Sequence, residues 1–201
     1  MSAEPLAQAR LVVLDLETTG PDLSRDRIIT IGAACVAGRA LQHGQAFERT
    51  LRQSAPSADS NILVHLIGGQ EQLAGAEPAG ALRELLAFIG RSLVVAFRAE
   101  FDETVLRREL RHWLRRAPRP RFVDLALLLP ACYPGTDNDT LDDWARQFGL
   151  DPPVRHHALA DAYVTAQMLL PVLERAGRLG CRTTDDLCAM ARAQRWLGRR
   201  R

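Results

Sequence analysis

The stretch Leu11–Gly20, LVVLDLETTG, opens on four apolar residues and closes on two carboxylates, two threonines and a glycine. A short continuous apolar run is the pattern of a strand buried on both faces. Asp15 and Glu17 follow it, two residues apart at the strand end, so their side chains leave from the same face. Nothing in core packing calls for two acids there. Thr19-Gly20-Pro21 then breaks the strand.

Working outward, Arg27–Val36 and Ala40–Arg52 read as two further strands with Gly38 marking the turn, so the first three strands form a hairpin-like meander. Residues 53–78 read as irregular. Leu82, Leu85, Leu86 and Ile89 then recur at helical spacing, Gly90 stops that helix, and Ser92–Phe97 (SLVVAF) is another buried strand. A helix over Thr104–Leu114 ends before Pro118 and Pro120, and Phe122-Val123 is a short strand. Asp124 caps a helix running to Leu129, Thr140–Phe148 is a small helix, and His157–Ala176 and Thr183–Leu197 are long ones. Three strands followed by alternating helices and strands argue for one α/β domain with a mixed sheet. It spans residues 1–201, with no repeat or linker to divide it.

The bulk composition is that of a soluble globular chain, 47% hydrophobic and 25% charged, long enough at 201 residues to bury a core. All 26 basic residues are arginine, and the net charge of +2 is too small by itself to imply a polyanionic partner. Their distribution is more informative, because Arg107, Arg108, Arg111, Arg115, Arg116, Arg119 and Arg121 crowd one stretch. That run reads either as a solvated helix face or as a phosphate-facing patch. Cys35, Cys132, Cys181 and Cys188 are widely spaced, which suits reduced thiols rather than a zinc site. The N-terminus carries no signal-peptide pattern and no 18-residue apolar run follows, so a cytoplasmic protein without a membrane span is expected.

Two more acids join the first pair. Asp102 lies just after the SLVVAF strand at the start of a helix, and Asp161 lies in the opening turns of the His157 helix. Capping accounts for Asp102 alone, and solvent exposure for Asp161 alone, but neither accounts for the set. Strands of an α/β sheet end along one edge, where such folds carry their sites. Four carboxylates converging there must either protonate or share divalent cations, and oxygen-only ligands select Mg²⁺ or Mn²⁺. Two such ions stabilise both the attacking and the leaving oxygen of a phosphodiester displacement. A base titrating near neutrality is also required, and His156, just ahead of the last helix-borne acid, is placed to serve, with His157 as its rival.

The strings LVVLDLETTG, AEFDETVLRREL and RHHALADAYVTAQMLL resemble the three motifs of the DEDDh (DnaQ-like) 3′→5′ exonuclease superfamily, which includes the proofreading epsilon subunit of bacterial DNA polymerase III, RNase T and oligoribonuclease. The resemblance covers about Leu11 to Leu173 and leaves residues 174–201 as a helical, basic extension. It implies an RNase H-like fold, a five-stranded mixed sheet flanked by helices. It also implies that Asp15, Glu17, Asp102 and Asp161 are the metal ligands and His156 the general base. The tyrosine-type position of relatives is His157 here, which favours the histidine class.

Substrate contacts carried over from the resemblance are Thr18 and Thr19 as donors to the terminal nucleotide, with Phe101 and Val64-His65 wedging against its base. Phe101 also reads as a core residue. Relatives commonly have His-Asn where this chain has Phe97-Arg98, and Arg98 either replaces the lost contact or alters substrate preference. Arg192, Arg195 and Arg199–Arg201 read as phosphate holders or as a basic tail. The function implied is a two-metal 3′→5′ exonuclease on single-stranded DNA ends, with association with a DNA polymerase as a further expectation. The alternatives are an exoribonuclease of the oligoribonuclease type and a non-catalytic nucleic-acid- or polymerase-binding module.

Overall fold

The computed structural model describes residues 4–151 and 155–198. A five-stranded sheet of order β3-β2-β1-β4-β5 is built from β1 (Arg10–Thr18), β2 (Ile28–Ala37), β3 (Ala40–Thr50), β4 (Leu93–Ala96) and β5 (Phe122–Asp124). The first three strands are antiparallel, and β4 and β5 run parallel to β1, so the sheet is mixed as expected. Gly38 and Arg39 both have positive φ, 58° and 60°, between the paired Ala37 and Ala40. A two-residue hairpin turn of that hand matches the right-handed twist of the strands it joins.

Alternation along β1 assigns each residue to a layer. Val12, Leu14 and Leu16 enter one core with α3 (Pro78–Ile89) and α4 (Glu100–Leu114). Leu11 and Val13 enter the other, with α5 (Leu125–Cys132), α7 (Ala158–Arg178) and α8 (Thr184–Gly198). Asp15 and Glu17 continue the second series and therefore face α7. All four cysteines are buried and unbonded. Among the described residues, no helix is long and apolar enough to cross a membrane.

Three expectations are corrected. Residues 53–78 are not wholly irregular: α1 (Asp59–His65) and α2 (Gly69–Ala74) lie there, each under two turns long and too short for a periodic signal. Helix α4 begins at Glu100 rather than Thr104, because its first turn carries acids, which suit a helix N-terminus without adding to an apolar stripe. Strand β1 runs through to Thr18, so Asp15 and Glu17 lie within it and pair with Gly32 and Thr30 of β2. The last small helix, α6 (Leu141–Gln147), opens on a reciprocal capping box between Thr140 and Asp143. Pro152-Pro153 and Arg199–Arg201 lie outside the described residues.

Candidate active site

The site forms where β1 outruns its parallel neighbour. The β1–β4 ladder covers Leu11–Val13, so the β4-facing edge of the following residues needs other partners. Asp102, buried in the first turn of α4, lies against β1 near the Leu16 N–H, which favours its charged form, so α4 begins beside the strand end. From the opposite layer, α7 crosses β2 above Gly32, where a Cβ would overlap the carbonyl of Ala158 and the nitrogen of Leu159. This close approach lowers the first turn of α7 onto the sheet beside Asp15. Asp161, also buried, then folds back so that its carboxylate accepts the His156 N–H at 3.0 Å.

Carboxylate oxygens of Asp15, Glu17 and Asp161 all lie within 4.8 Å of one another. Asp102 stands outside that trio but close enough to act on Asp15 and Glu17 through space. Burial pushes the Asp15 carboxyl well above its ordinary range, and the charges of Asp102, Glu17 and Asp161 push it further. Glu17 is pushed up to about 7 by burial and then by Asp161. Asp102 is pushed up to about 8, chiefly by burial. Such a cluster is held together by protons or by cations. Its donors are all oxygen, the set preferred by hard divalent ions.

One cation of the chain already occupies part of this role. The Arg155 guanidinium pairs with Asp161 and bridges to Asp142 of α6 at 2.5 Å. Arg155 holds down the Asp161 pKa, which burial nevertheless keeps raised. Sequence reasoning missed this residue, because an arginine before two histidines carries no pattern of its own.

The two histidines are placed differently. His156 is exposed and has φ 57°, a left-handed conformation that non-glycine residues adopt at a cost and that clusters at functional sites. His157 is the N-cap residue of α7, and its Nε2 lies 3.5 Å from Glu48 on the edge strand β3.

The expected substrate contacts are brought together only in part. Thr18 donates its hydroxyl to the Gly20 carbonyl at 2.7 Å, and Thr19 donates to Asp26 at 2.8 Å, so both hydroxyls are used within the β1–β2 connection. Asn61 donates to the Thr18 carbonyl at 2.8 Å and thereby fastens α1 beside the carboxylates. On the same short helix Val64 is half-exposed, and Leu63 and Leu66, which were not anticipated, are 77% and 70% exposed. His65 turns the other way. Its ring is buried, accepts the Ile67 N–H at 2.9 Å and neighbours Ser57, so it holds the loop together and presents no face for stacking. Phe101 is partly buried against the α3–α4 core. Arg98 has φ 57°, donates its N–H to Asp124 at 3.0 Å and pairs its guanidinium with Asp139 at 2.9 Å, so that side chain is tied toward the loop before α6.

The fold is the RNase H-like exonuclease fold. A zinc-bound E. coli ExoI–single-stranded DNA complex superposes with a TM-score of 0.72 at 19% identity, covering 86% of this chain and 42% of that one. Exonuclease X in complex with 5′-overhanging duplex DNA gives a TM-score of 0.70 at 19% identity, covering 90% and 99%. Residues 12–169 match the RNase T exonuclease family, and the chain belongs to that family, within the DnaQ-like superfamily. A DNA polymerase III of PolC type from Thermotoga petrophila is 34% identical over 89% of this chain, a stretch that is 13% of that protein's length.

Proposed function

We propose that the chain is a metal-dependent 3′→5′ exonuclease that releases mononucleotides from single-stranded DNA ends in the cytoplasm. The observation that carries this reading is the convergence of Asp15, Glu17 and Asp161 within 4.8 Å, with Asp102 beside them, in a chain of an exonuclease family. The four carboxylates would hold two divalent cations, Mg²⁺ or Mn²⁺. Such ions, when bound, ease deprotonation of water and offset charge on attacking and departing oxygens.

The chain's own groups do the rest. His156 takes the proton of the attacking water at an imidazole nitrogen, its backbone held by the bond from its N–H to Asp161. Water adds to the scissile phosphorus, the bond to the 3′ oxygen breaks, that oxygen takes a proton from solvent, and a 5′-mononucleotide leaves a strand with a new 3′ hydroxyl. Val64, Leu63 and Leu66 offer an apolar edge to the terminal base. The DNA named with the ExoI and exonuclease X structures supports DNA as substrate. The polymerase name of the Thermotoga protein supports a proofreading place beside a DNA polymerase.

The test is a gel assay with 5′-labelled single-stranded DNA and matching RNA, with and without Mn²⁺, for wild type and Asp15→Asn. A metal-dependent ladder descending from the DNA 3′ end, absent in the variant, is the expected result. A ladder on RNA alone overturns the DNA assignment, and no ladder on either sinks the exonuclease reading.

A further inference from the structure

The arginine-rich stretch is sorted by the fold into two groups. Arg108 is spent internally, donating to the carbonyls of Leu23 and Asp26 and pairing with buried Glu109. Arg107 pairs with Glu103, and Arg121 with Asp185 at 2.5 Å. Arg119 has no ion-pair partner among the described residues, and neither do Arg192 and Arg195 on α8; all three are exposed. These three converge on one groove of about 400 Å³ along the outer edge of β5, between α4 and α8, with Arg107 and Arg121 on its walls. Arg192 and Arg195 follow Cys188 and Ala191 at helical spacing, so α8 buries one part of this face and lines the groove with the other.

Two acids line the groove: Glu103, paired with Arg107, and Asp124, which accepts the N–H groups of Arg98 and Ala126 and feels the charge of Arg195. Five arginines, Arg107, Arg119, Arg121, Arg192 and Arg195, face these two acids, so the groove carries surplus positive charge. It also runs toward the carboxylates. Asp124 pairs with Ala96 at the end of β4, from which the chain passes through Arg98 into the α4 turn bearing Asp102. Beside it Trp196, next to Arg195 and four residues beyond Arg192, is 69% exposed and presents an aromatic surface with no core to fill. Unpaired arginines in a groove with an exposed aromatic at its side are the elements of a single-strand track, phosphates on the cations and a base on the ring.

We propose that this groove is a second contact surface for the substrate strand, with Arg119, Arg192 and Arg195 holding backbone phosphates upstream of the 3′ terminus. The proposal rests on the exonuclease reading. It assigns to these arginines affinity for long strands and no part in bond cleavage.

The test compares wild type with a variant carrying Arg119→Gln, Arg192→Gln and Arg195→Gln on two substrates. One is the p-nitrophenyl ester of thymidine 5′-monophosphate, a single nucleotide that fills the carboxylate site alone; the other is an oligothymidylate of about 20 nucleotides. The variant should match wild type on the ester and lose about tenfold or more in kcat/KM on the oligomer. With Ca²⁺ in place of Mn²⁺, its plot of log affinity against log salt should be shallower by about 2, since each single-strand phosphate contact contributes roughly 0.7. A triple Arg→Lys variant should recover most of the loss, which separates charge from packing. Equal turnover of the oligomer by wild type and the glutamine variant overturns the groove. Equal loss on the ester and the oligomer overturns its separation from the cleavage site. Failure of wild type on both substrates counts instead against the exonuclease reading itself.

Discussion

The carbonyl group of Ala158 lies directly over the Cα of Gly32, so the first turn of α7 rests on β2 where any side chain would stand. Gly32 is flanked in register by Asp15 of β1 and Glu48 of β3, and α7 enters between them. Gly32→Ala must push α7 off the sheet, and Asp161 moves with it. Displacements of this order near reacting groups cost about a hundredfold in rate, and overpacking against backbone costs at least the usual 1–3 kcal/mol, about. Gly44 on β3, where a Cβ meets nothing within 4 Å, is the matched control. Thermal melts and the nuclease assay should show Gly32→Ala impaired in both and Gly44→Ala in neither. An active, stable Gly32→Ala would mean that the site tolerates a raised α7.

The raised carboxyls make metal-free stability fall as pH rises. Glu17 at about 7, Asp102 at about 8 and the still-raised Asp15 compare with unfolded carboxyls near about 4. Across that window the folded chain holds more protons than the unfolded one, so their contribution is present at low pH and lost toward pH 8. In chelator, melting temperature should drop between about pH 5 and 8, and Asp15→Asn should flatten the drop. His65, whose pKa burial lowers, acts in the opposite sense around neutrality, which is why the variant comparison is needed. Mn²⁺ should raise the melting temperature more at pH 8 than at pH 5, since its ligands must be deprotonated. An equal Mn²⁺ shift in Asp15→Asn would remove Asp15 from the ligand set.

Much of this site was legible because its carriers obey simple periodicities. An apolar run followed by Asp-x-Glu specifies a strand and a shared face without knowledge of partners, and Asp102 and Asp161 announce themselves as acids at helix openings. The β5 edge groove was half legible: Arg119, Arg192 and Arg195 stood out by charge, but their convergence depends on α8 packing beside β5, a long-range contact. Thr18, Thr19 and His65 were less legible. Each is a polar residue beside a motif, and only the folded loop reveals that Gly20, Asp26 and Ile67 already satisfy them. Gly32 gave no signal, because a glycine in a strand acquires meaning from the helix above it.

Arg98, where the motif resemblance leads one to expect asparagine, has a φ of 57°, a conformation that asparagine itself favours. Left-handed backbone costs most residues roughly 1–2 kcal/mol, whereas asparagine tolerates it. The ion pair to Asp139 joins two exposed side chains and is worth at most about 1 kcal/mol. Arg98→Asn should therefore hold or raise the melting temperature, by up to a few degrees. If asparagine acts through backbone geometry, kcat/KM on DNA stays within about twofold. A large gain in activity with unchanged stability would instead give that position a direct role at the terminal nucleotide.

The choice of base between adjacent histidines reduces to geometry that mutation can separate. His157 sits at the N-cap position of α7 and reaches Glu48 on the edge strand, whereas His156 is exposed and bonded through its N–H to Asp161. Loss of a general base typically slows a reaction by about a hundredfold or more. His156→Asn keeps a side chain suited to the left-handed backbone, so its loss of rate cannot be assigned to strain. It should match His156→Ala in kcat, both down by at least about a hundredfold. His157→Ala should retain most of its rate, having lost one exposed contact. The reverse ranking, with His157→Ala slow and His156→Asn active, would transfer the proton to His157 and leave His156 as the residue that shapes the α7 entry.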